Sequence, residues 1–324
     1  MEIIEKIIQK ILDIPSSLYE QFFTPIGSGF FYYEWVIPWV LILLGFYVFK
    51  NKDFNIFKFF KFMWPKEMYT KPSFKVDVQF YLMDLFKIRA FLITMIFVFT
   101  REPFLQFIDS DSFTKSFLID DAITSTNLKA FVSFTIFLLG YEFGYYWVHR
   151  LSHKFNLLWE LHQVHHYSSQ MNIFVGARAH VLDDVGLSVV PYFTGTLALS
   201  LLFSGLDRET MLSASLFLYS IYWVLKRIIA RLAHSHVHFS LGFLDYIFVS
   251  PRMHNGHHSR EYHDLNFGQT LAIWDLVFGT FWRPPQKINY GVAGIPDDYY
   301  KNWLDCQVKP LKNIYLKLTK KINS

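Results

Sequence analysis

All thirteen histidines of this 324-residue chain fall between His149 and His263, and most of them stand at helical spacings. His149 and His153 form one set, His162, His165 and His166 a second, and His254, His257 and His258 a third. His234, His236 and His238 lie a short way before the third set. On an α-helix, positions i, i+3 and i+4 share one face, so each His-x-x-His-His triplet is expected to aim three imidazoles at one point. That is metal-site geometry, and it obliges the fold to bring distant helices together.

Neutral imidazoles suit first-row transition metals, whereas calcium or magnesium would need oxygen ligands. The single cysteine, Cys306, excludes a disulfide framework and thiolate metal sites. Eight histidines come from the three sets alone. His234 and His238, spaced i, i+4, bring the total to ten, which would give two ions about five nitrogens each. A single zinc needs only about three or four, so the count points to a dinuclear centre.

The chain is 52% hydrophobic and 20% aromatic with 18% charge, a membrane composition. The formal charge of +4 is too small and too unevenly placed to argue for nucleic acid. The acidic, amphipathic start lacks the basic n-region of a cleavable signal peptide. Residues 1–14 read as an amphipathic helix lying on the membrane or against the protein's own apolar side. Apolar runs at about 30–49, 90–108 and 128–148 read as spans, the second interrupted by Arg101, Glu102 and Pro103 and so short, kinked or partly interfacial. Runs at 185–203 and 210–230 read as a helical hairpin. The loop at 50–89 carries net +5, which places it in the cytoplasm, and residues 109–127 carry net −3, which suits the far side. The expected fold is all-α, a multi-span transmembrane helical bundle forming one integral membrane domain over 1–324. Its cytoplasmic histidine-rich metal-binding cap comprises about 149–184 and 231–324.

The words around the histidines carry a resemblance. Trp147-Val148-His149-Arg150-Leu151-Ser152-His153, Leu161-His162-Gln163-Val164-His165-His166 and Ser250-Pro251-Arg252-Met253-His254 are similar to those of the fatty acid hydroxylase and sterol desaturase superfamily, membrane di-iron oxygenases. So are Asn266-Phe267-Gly268 and the run from Trp274 to Thr280. The match covers roughly 140–282. It implies two Fe ions, O2 as co-substrate, and electrons from NAD(P)H through a separate electron-transfer protein or reductase. The implied reaction oxidises an unactivated C–H bond of a lipid to an alcohol or alkene; sterol-like, fatty acyl, sphingolipid and glycerol ether substrates all fit. The implied location is multi-pass, in a bacterial inner membrane or the endoplasmic reticulum, with the active site on the cytoplasmic side.

Two places depart from the family pattern. The family often has His-Ser-Asn where this chain has His234-Ser235-His236, with His238 in addition; His234 is a ligand candidate, and helical spacing favours His238 over His236 as its companion. Arg178-Ala179-His180-Val181-Leu182-Asp183 stands where the family has Arg-x-His-Pro-Leu-Glu. His180 and His263 read as core histidines held by hydrogen bonds, with His180 a weaker ligand candidate. Glu142 lies within the third span two turns before His149, and its carboxylate is expected to accept the outer N–H of a metal-bound imidazole or to serve as an interhelical hydrogen bond. Asp183 and Asp275 are similar candidates. A di-metal lipid hydrolase would mix carboxylates into the ligands, and a metal transporter or sensor would place its site within the spans; these are the competing readings.

Overall fold

The computed structural model describes residues 33–85, 88–108, 123, 125–202, 208–285 and 288–322. The amphipathic segment at 1–14, the first residues of the 30–49 span, most of the 109–127 loop and the 203–207 part of the hairpin turn lie outside the described residues. The described chain is helical, with β-structure limited to two isolated antiparallel bridges, Phe248 with Leu271 and Ser259 with Tyr290. Helix α1 (Tyr33–Asn51) leads to α2 (Ile56–Met63), α3 (Lys66–Tyr69), α4 (Pro72–Leu85) and α5 (Ile88–Ile108). Then come α6 (Thr126–Lys154), α7 (Asn156–His166), α8 (Val181–Leu202) and α9 (Arg208–Ala233). The last elements are α10 (Pro251–His257), α11 (Ile273–Val277) and α12 (Trp303–Ile322).

Helix α6 is the axis on which α7, α8, α9 and α11 pack. Ser125 caps its start, the hydroxyl accepting from the Leu128 N–H at 3.4 Å. Helix α8 approaches closely because Gly140 and Gly144 present no side chain at the crossing. A Cβ on Gly144 would stand 2.0 Å from Thr194 Oγ1, and one on Gly140 would stand 2.7 Å from the Ala198 Cβ. Gly195 completes the fit from the other side, since a Cβ there would meet the Phe137 carbonyl oxygen at 2.9 Å. Small residues four apart are the usual means by which apolar helices pack without help from water.

Among the described residues, α8 is the one helix long and apolar enough to cross a membrane, and α1 holds a shorter apolar stretch, Val40–Asn51. The other expected spans are continuous helices that carry charge: α5 holds Arg101 and Glu102 with Pro103 inside it, α6 holds Lys129 and Glu142, and α9 holds Lys226 and Arg227. Helix α6 also runs past the expected end at 148 to Lys154, so His149 and His153 extend the same rigid rod. Phe155 then adopts an extended conformation (φ −98°, ψ 117°), and α7 begins at once.

Within the basic segment at 50–89, expected as a loop, the described residues are mostly helical, in α2, α3 and α4. Val76 and Phe80 of α4 pack with Val164 and Tyr167 and with Tyr300 and Cys306. Leu43, Tyr47, Phe59 and Met63 pack with Leu232 in the last turn of α9 and with Val237 beyond its end. Alternating aromatics and lysines in this stretch bury one face and leave charge outside, which charge counting alone reads as loop.

Candidate metal centre

Nine of the thirteen histidines gather in two groups. His149, His153, His162, His166 and His257 offer ring nitrogens that all lie within 4.8 Å of one another, and so do His165, His234, His254 and His258. The groups adjoin: the His166 and His258 rings stack with centroids 4.4 Å apart. Neither group contains a carboxylate.

The triplets do not act as units, which corrects the expectation that each aims at a single point. His162 and His166 enter the five-histidine group while His165 enters the other; His254 and His258 enter the four-histidine group while His257 enters the first. The reason is angular. At 100° per residue, positions i and i+4 differ by only about 40°, whereas i+3 lies about 60° to the other side and i+3 and i+4 diverge by about 100°. One short helix thus contributes to two groups.

Within each group the Nε2 atoms face each other: His149 and His257 at 2.9 Å, His162 and His166 at 3.2 Å, His234 and His254 at 2.9 Å, His165 and His234 at 3.2 Å, His254 and His258 at 3.1 Å. The opposite ring nitrogens explain why. Nδ1–H of His149 donates to the Phe267 carbonyl at 2.7 Å, and that of His257 to the Leu265 carbonyl at 2.7 Å. His165 and His234 likewise donate to the carbonyls of Arg178 at 2.9 Å and Ala230 at 2.8 Å. A neutral imidazole that donates from Nδ1 has only a lone pair at Nε2. Lone pairs therefore meet lone pairs, an arrangement that a shared cation stabilises. Two nitrogens bound at about 2.1 Å with bonds at right angles stand about 3 Å apart, so the spacing fits a transition-metal ion.

Protons are poor substitutes. Burial is the largest cause holding His149, His153, His165, His166, His254, His257 and His258 well below the usual imidazole range, reinforced by neighbouring imidazoles. Burial also lowers His234 to about 4. The rings are thus kept neutral, the form that binds metal.

Residues 134–280 match the family model for fatty acid hydroxylase. Over this stretch, a little under half of the chain, the sequence is similar to fatty acid hydroxylases. Among curated proteins, alkylglycerol monooxygenase of Homo sapiens is 33% identical over 157 residues, 48% of this chain and 32% of its own length. The ornithine lipid hydroxylase of Rhizobium tropici is 31% identical over 160 residues, 47% of this chain and 43% of its own. The matched portion thus spans about a third to two fifths of these relatives. No solved structure matches the chain significantly.

The motif words of the matched region now acquire physical roles. Asn266 sits in the left-handed region (φ 58°), where its side chain donates to the carbonyls of Met253 and Trp282 and accepts from the Trp282 N–H. Asp275, buried and pushed up to about 6 by that burial, accepts from the N–H groups of Phe267 and Gly268, both at 2.8 Å, and from the Thr280 hydroxyl at 2.7 Å. This fixes the loop whose Phe267 carbonyl holds His149. Gly268 is required because a Cβ there would stand 2.5 Å from the Leu271 carbonyl oxygen.

Asp183 accepts from His162 Nδ1 at 2.9 Å, with both groups buried. Glu142 does not touch a clustered imidazole. Its carboxylate accepts from the Tyr222 hydroxyl at 2.5 Å and from the N–H groups of Thr270 and Leu271, each at 3.2 Å. It ties α6 and α9 to the segment that leads into Asp275, so the interhelical alternative matches its contacts.

The structure does not bring His238, His236 or His180 into either group. The spacing argument for His238 fails because α9 ends at Ala233, and its Nε2 meets the Tyr290 hydroxyl instead. His236 Nε2 bonds the Phe62 carbonyl at 2.6 Å. His180 bonds the Gln307 carbonyl at 3.0 Å and, through Nδ1, accepts from the Leu182 N–H at 3.1 Å. His263 stacks on Trp159 and, with Asp264, approaches His153 from outside the two groups, the ligand atoms of these three residues lying within 4.8 Å of one another.

Two supports come from outside the matched region. Asp77 of α4 forms a fully buried ion pair with Arg178 at 3.0 Å, and accepts from Ser168 and Asn172 at 3.1 and 2.8 Å. Gln307 of α12 accepts from the Val181 N–H at 3.0 Å and donates to the Ala179 carbonyl at 3.2 Å. Neither stood out in the sequence, because backbone carbonyls and a lone carboxylate leave no spacing signature.

Proposed function

We propose that this protein is a membrane-bound di-iron oxygenase that hydroxylates a lipid, using dioxygen and electrons from NAD(P)H relayed by a separate carrier protein. The observation that carries the reading is the pair of adjoining all-imidazole groups, in which five rings are bonded outward through Nδ1 and Nε2 atoms converge. His149, His153, His162, His166 and His257 would hold one iron, and His165, His234, His254 and His258 the other; ten ligands with His238 is one more than the geometry supplies. The bound irons supply the dioxygen-dependent oxidation of a C–H bond.

The protein's own contribution is positional. Carbonyls of Phe267, Leu265, Arg178 and Ala230 fix four tautomers, and Asp183 fixes a fifth imidazole, so those five rings are held in the orientation that presents Nε2. Burial of the groups excludes water that would compete with a lipid carbon for the oxidant. The names of the two relatives, an alkylglycerol monooxygenase and an ornithine lipid hydroxylase, favour hydroxylation over desaturation and a substrate with a polar head and long chains. Outward-facing Leu41 and Phe49 on α1, Phe91 and Phe99 on α5, and Leu128 and Phe131 on α6 support several spans beside α8, and the basic segment at 50–89 supports a histidine cap on the cytoplasmic side. The absence of carboxylates from both groups speaks against a hydrolase.

The test is iron per chain in anaerobically purified protein, followed by incubation with alkylglycerol and ornithine lipids under isotope-labelled dioxygen with a reductant. Two irons and labelled hydroxyl in a lipid product are expected. Iron-free protein, or iron-loaded protein that consumes no oxygen with any lipid, would overturn the reading.

A further inference from the structure

Helix α12 lies outside the matched region, and its surface is divided into two unlike halves. The inner half grips the cap. Gln307 bonds the backbone at Ala179 and Val181, Lys317 pairs with Glu160 at 2.5 Å, and Asn313 donates to Glu160 at 2.9 Å. Cys306 and Pro310 are buried on the same side. The outer half carries Leu304, Val308, Leu311, Tyr315 and Leu318 at alternating spacings of four and three, a continuous stripe along the helix. Their exposures are 60, 51, 45, 66 and 45%. Such a stripe is costly to leave in water.

Three observations decide what covers it. The helix carries Lys309, Lys312, Lys317, Lys320 and Lys321 against one acid, Asp305. A basic amphipathic helix suits an anionic surface and opposes pairing with an identical helix, whose lysines would face its own. Second, Gln307 and His180 join α12 to the first residues of α8, the one described helix long and apolar enough to span a bilayer. The end of a spanning helix marks the level of the lipid headgroups, and α12 is docked there. Third, Leu182 on the first turn of α8 is 51% exposed next to that junction, so apolar surface continues from one helix to the other.

We infer that α12 lies on the anionic phospholipid headgroup layer, its Leu304–Leu318 stripe buried in the interface and its exposed lysines, Lys312 and Lys320, reaching the headgroups. This rests on the membrane reading given under the proposed function. It assigns the helix a specific task there. The inner face of α12 holds Ala179–Val181, which runs directly into Asp183 and thus to His162, so lipid contact on one side braces the histidine cap on the other.

The test uses the full chain in nanodiscs of zwitterionic lipid with and without an anionic phospholipid. Single cysteines replace Val308, Tyr315 or Lys312 on α12, and Val190 on the outer side of α8, each labelled with an environment-sensitive fluorophore. Native Cys306 contributes little background, since its buried thiol is pushed up to about 12. Labels at 308 and 315 are expected to be quenched several-fold more by lipid-borne nitroxide than by aqueous iodide, with the preference lost in the K312E/K320E variant or without anionic lipid. Iodide quenching of 308 and 315, with lipid quenching at 190, would overturn the inference while leaving the membrane reading intact. Iodide quenching at 190 as well would overturn both. Protection of 308 and 315 from both quenchers, with two chains per disc, would assign the stripe to a second copy and also overturn it. Because every substituted site on α12 is exposed, loss of folding does not confound the readout, and iron content serves as the control.

Discussion

Asp77 and Arg178 form an ion pair at 3.0 Å in which neither side chain has exposed surface, and the carbonyl of that same Arg178 holds Nδ1 of His165. A carboxylate from α4, outside the region that matches fatty acid hydroxylases, thus sets a histidine of the four-membered group through one intermediary. Arg178 also donates to the Ser73 carbonyl, so its guanidinium is fixed at both ends.

Removing the carboxylate leaves a buried, unpaired guanidinium. Asp77→Ala should destabilise the protein by about 3–5 kcal/mol and release metal from the four-histidine group first. Thermal unfolding in detergent and metal content measure the two effects. Unchanged metal content in the folded variant would show that Arg178 holds His165 without help from α4.

The split of the triplets gives a distinct pattern of losses. His165→Ala with His234→Ala, both in one group, should cost one iron per chain. His165→Ala with His166→Ala, neighbours in sequence but members of different groups, should cost both. Equal losses from the two double variants would mean that each triplet serves a single ion after all.

Asp183 and Glu142 are both buried carboxylates, but only Asp183 touches a clustered imidazole. Asp183→Asn should weaken metal affinity by about 10–100-fold, measured by competition with a chelator. Glu142→Gln should keep full metal content, since its partners are Tyr222 and the backbone at 270–271. The opposite ranking would assign Glu142 the role that the geometry gives to Asp183.

The contact between Gly144 and Thr194 tests the packing of α6 on α8. Gly144→Ala should destabilise by about 1–3 kcal/mol, because the new Cβ would stand 2.0 Å from Thr194 Oγ1. Thr194→Ala in the same chain should recover part of that loss, a coupling that a double-mutant cycle reads directly. Additive effects would mean that the helices separate rather than interlock at this point.

The helical class, the eight motif histidines with His234 and the match to a hydroxylase domain were all legible in the sequence, because periodicity and motif order are local properties. The words Asn266-Phe267-Gly268 and Trp274-Asp275 were visible too, though not what they do. Tertiary structure decided everything that depends on angle and on distant backbone. It divided each triplet between two groups, because i+3 and i+4 point about 100° apart on a helix. It excluded His238 because α9 stops at Ala233, and it gave Asp183 the contact expected of Glu142. It brought in Asp77 and Gln307 from helices that carry no motif, since one buried carboxylate or amide acquires meaning only from what packs against it. The residue types that could hold metal are thus written locally; their allocation to two groups is a property of how the helices cross.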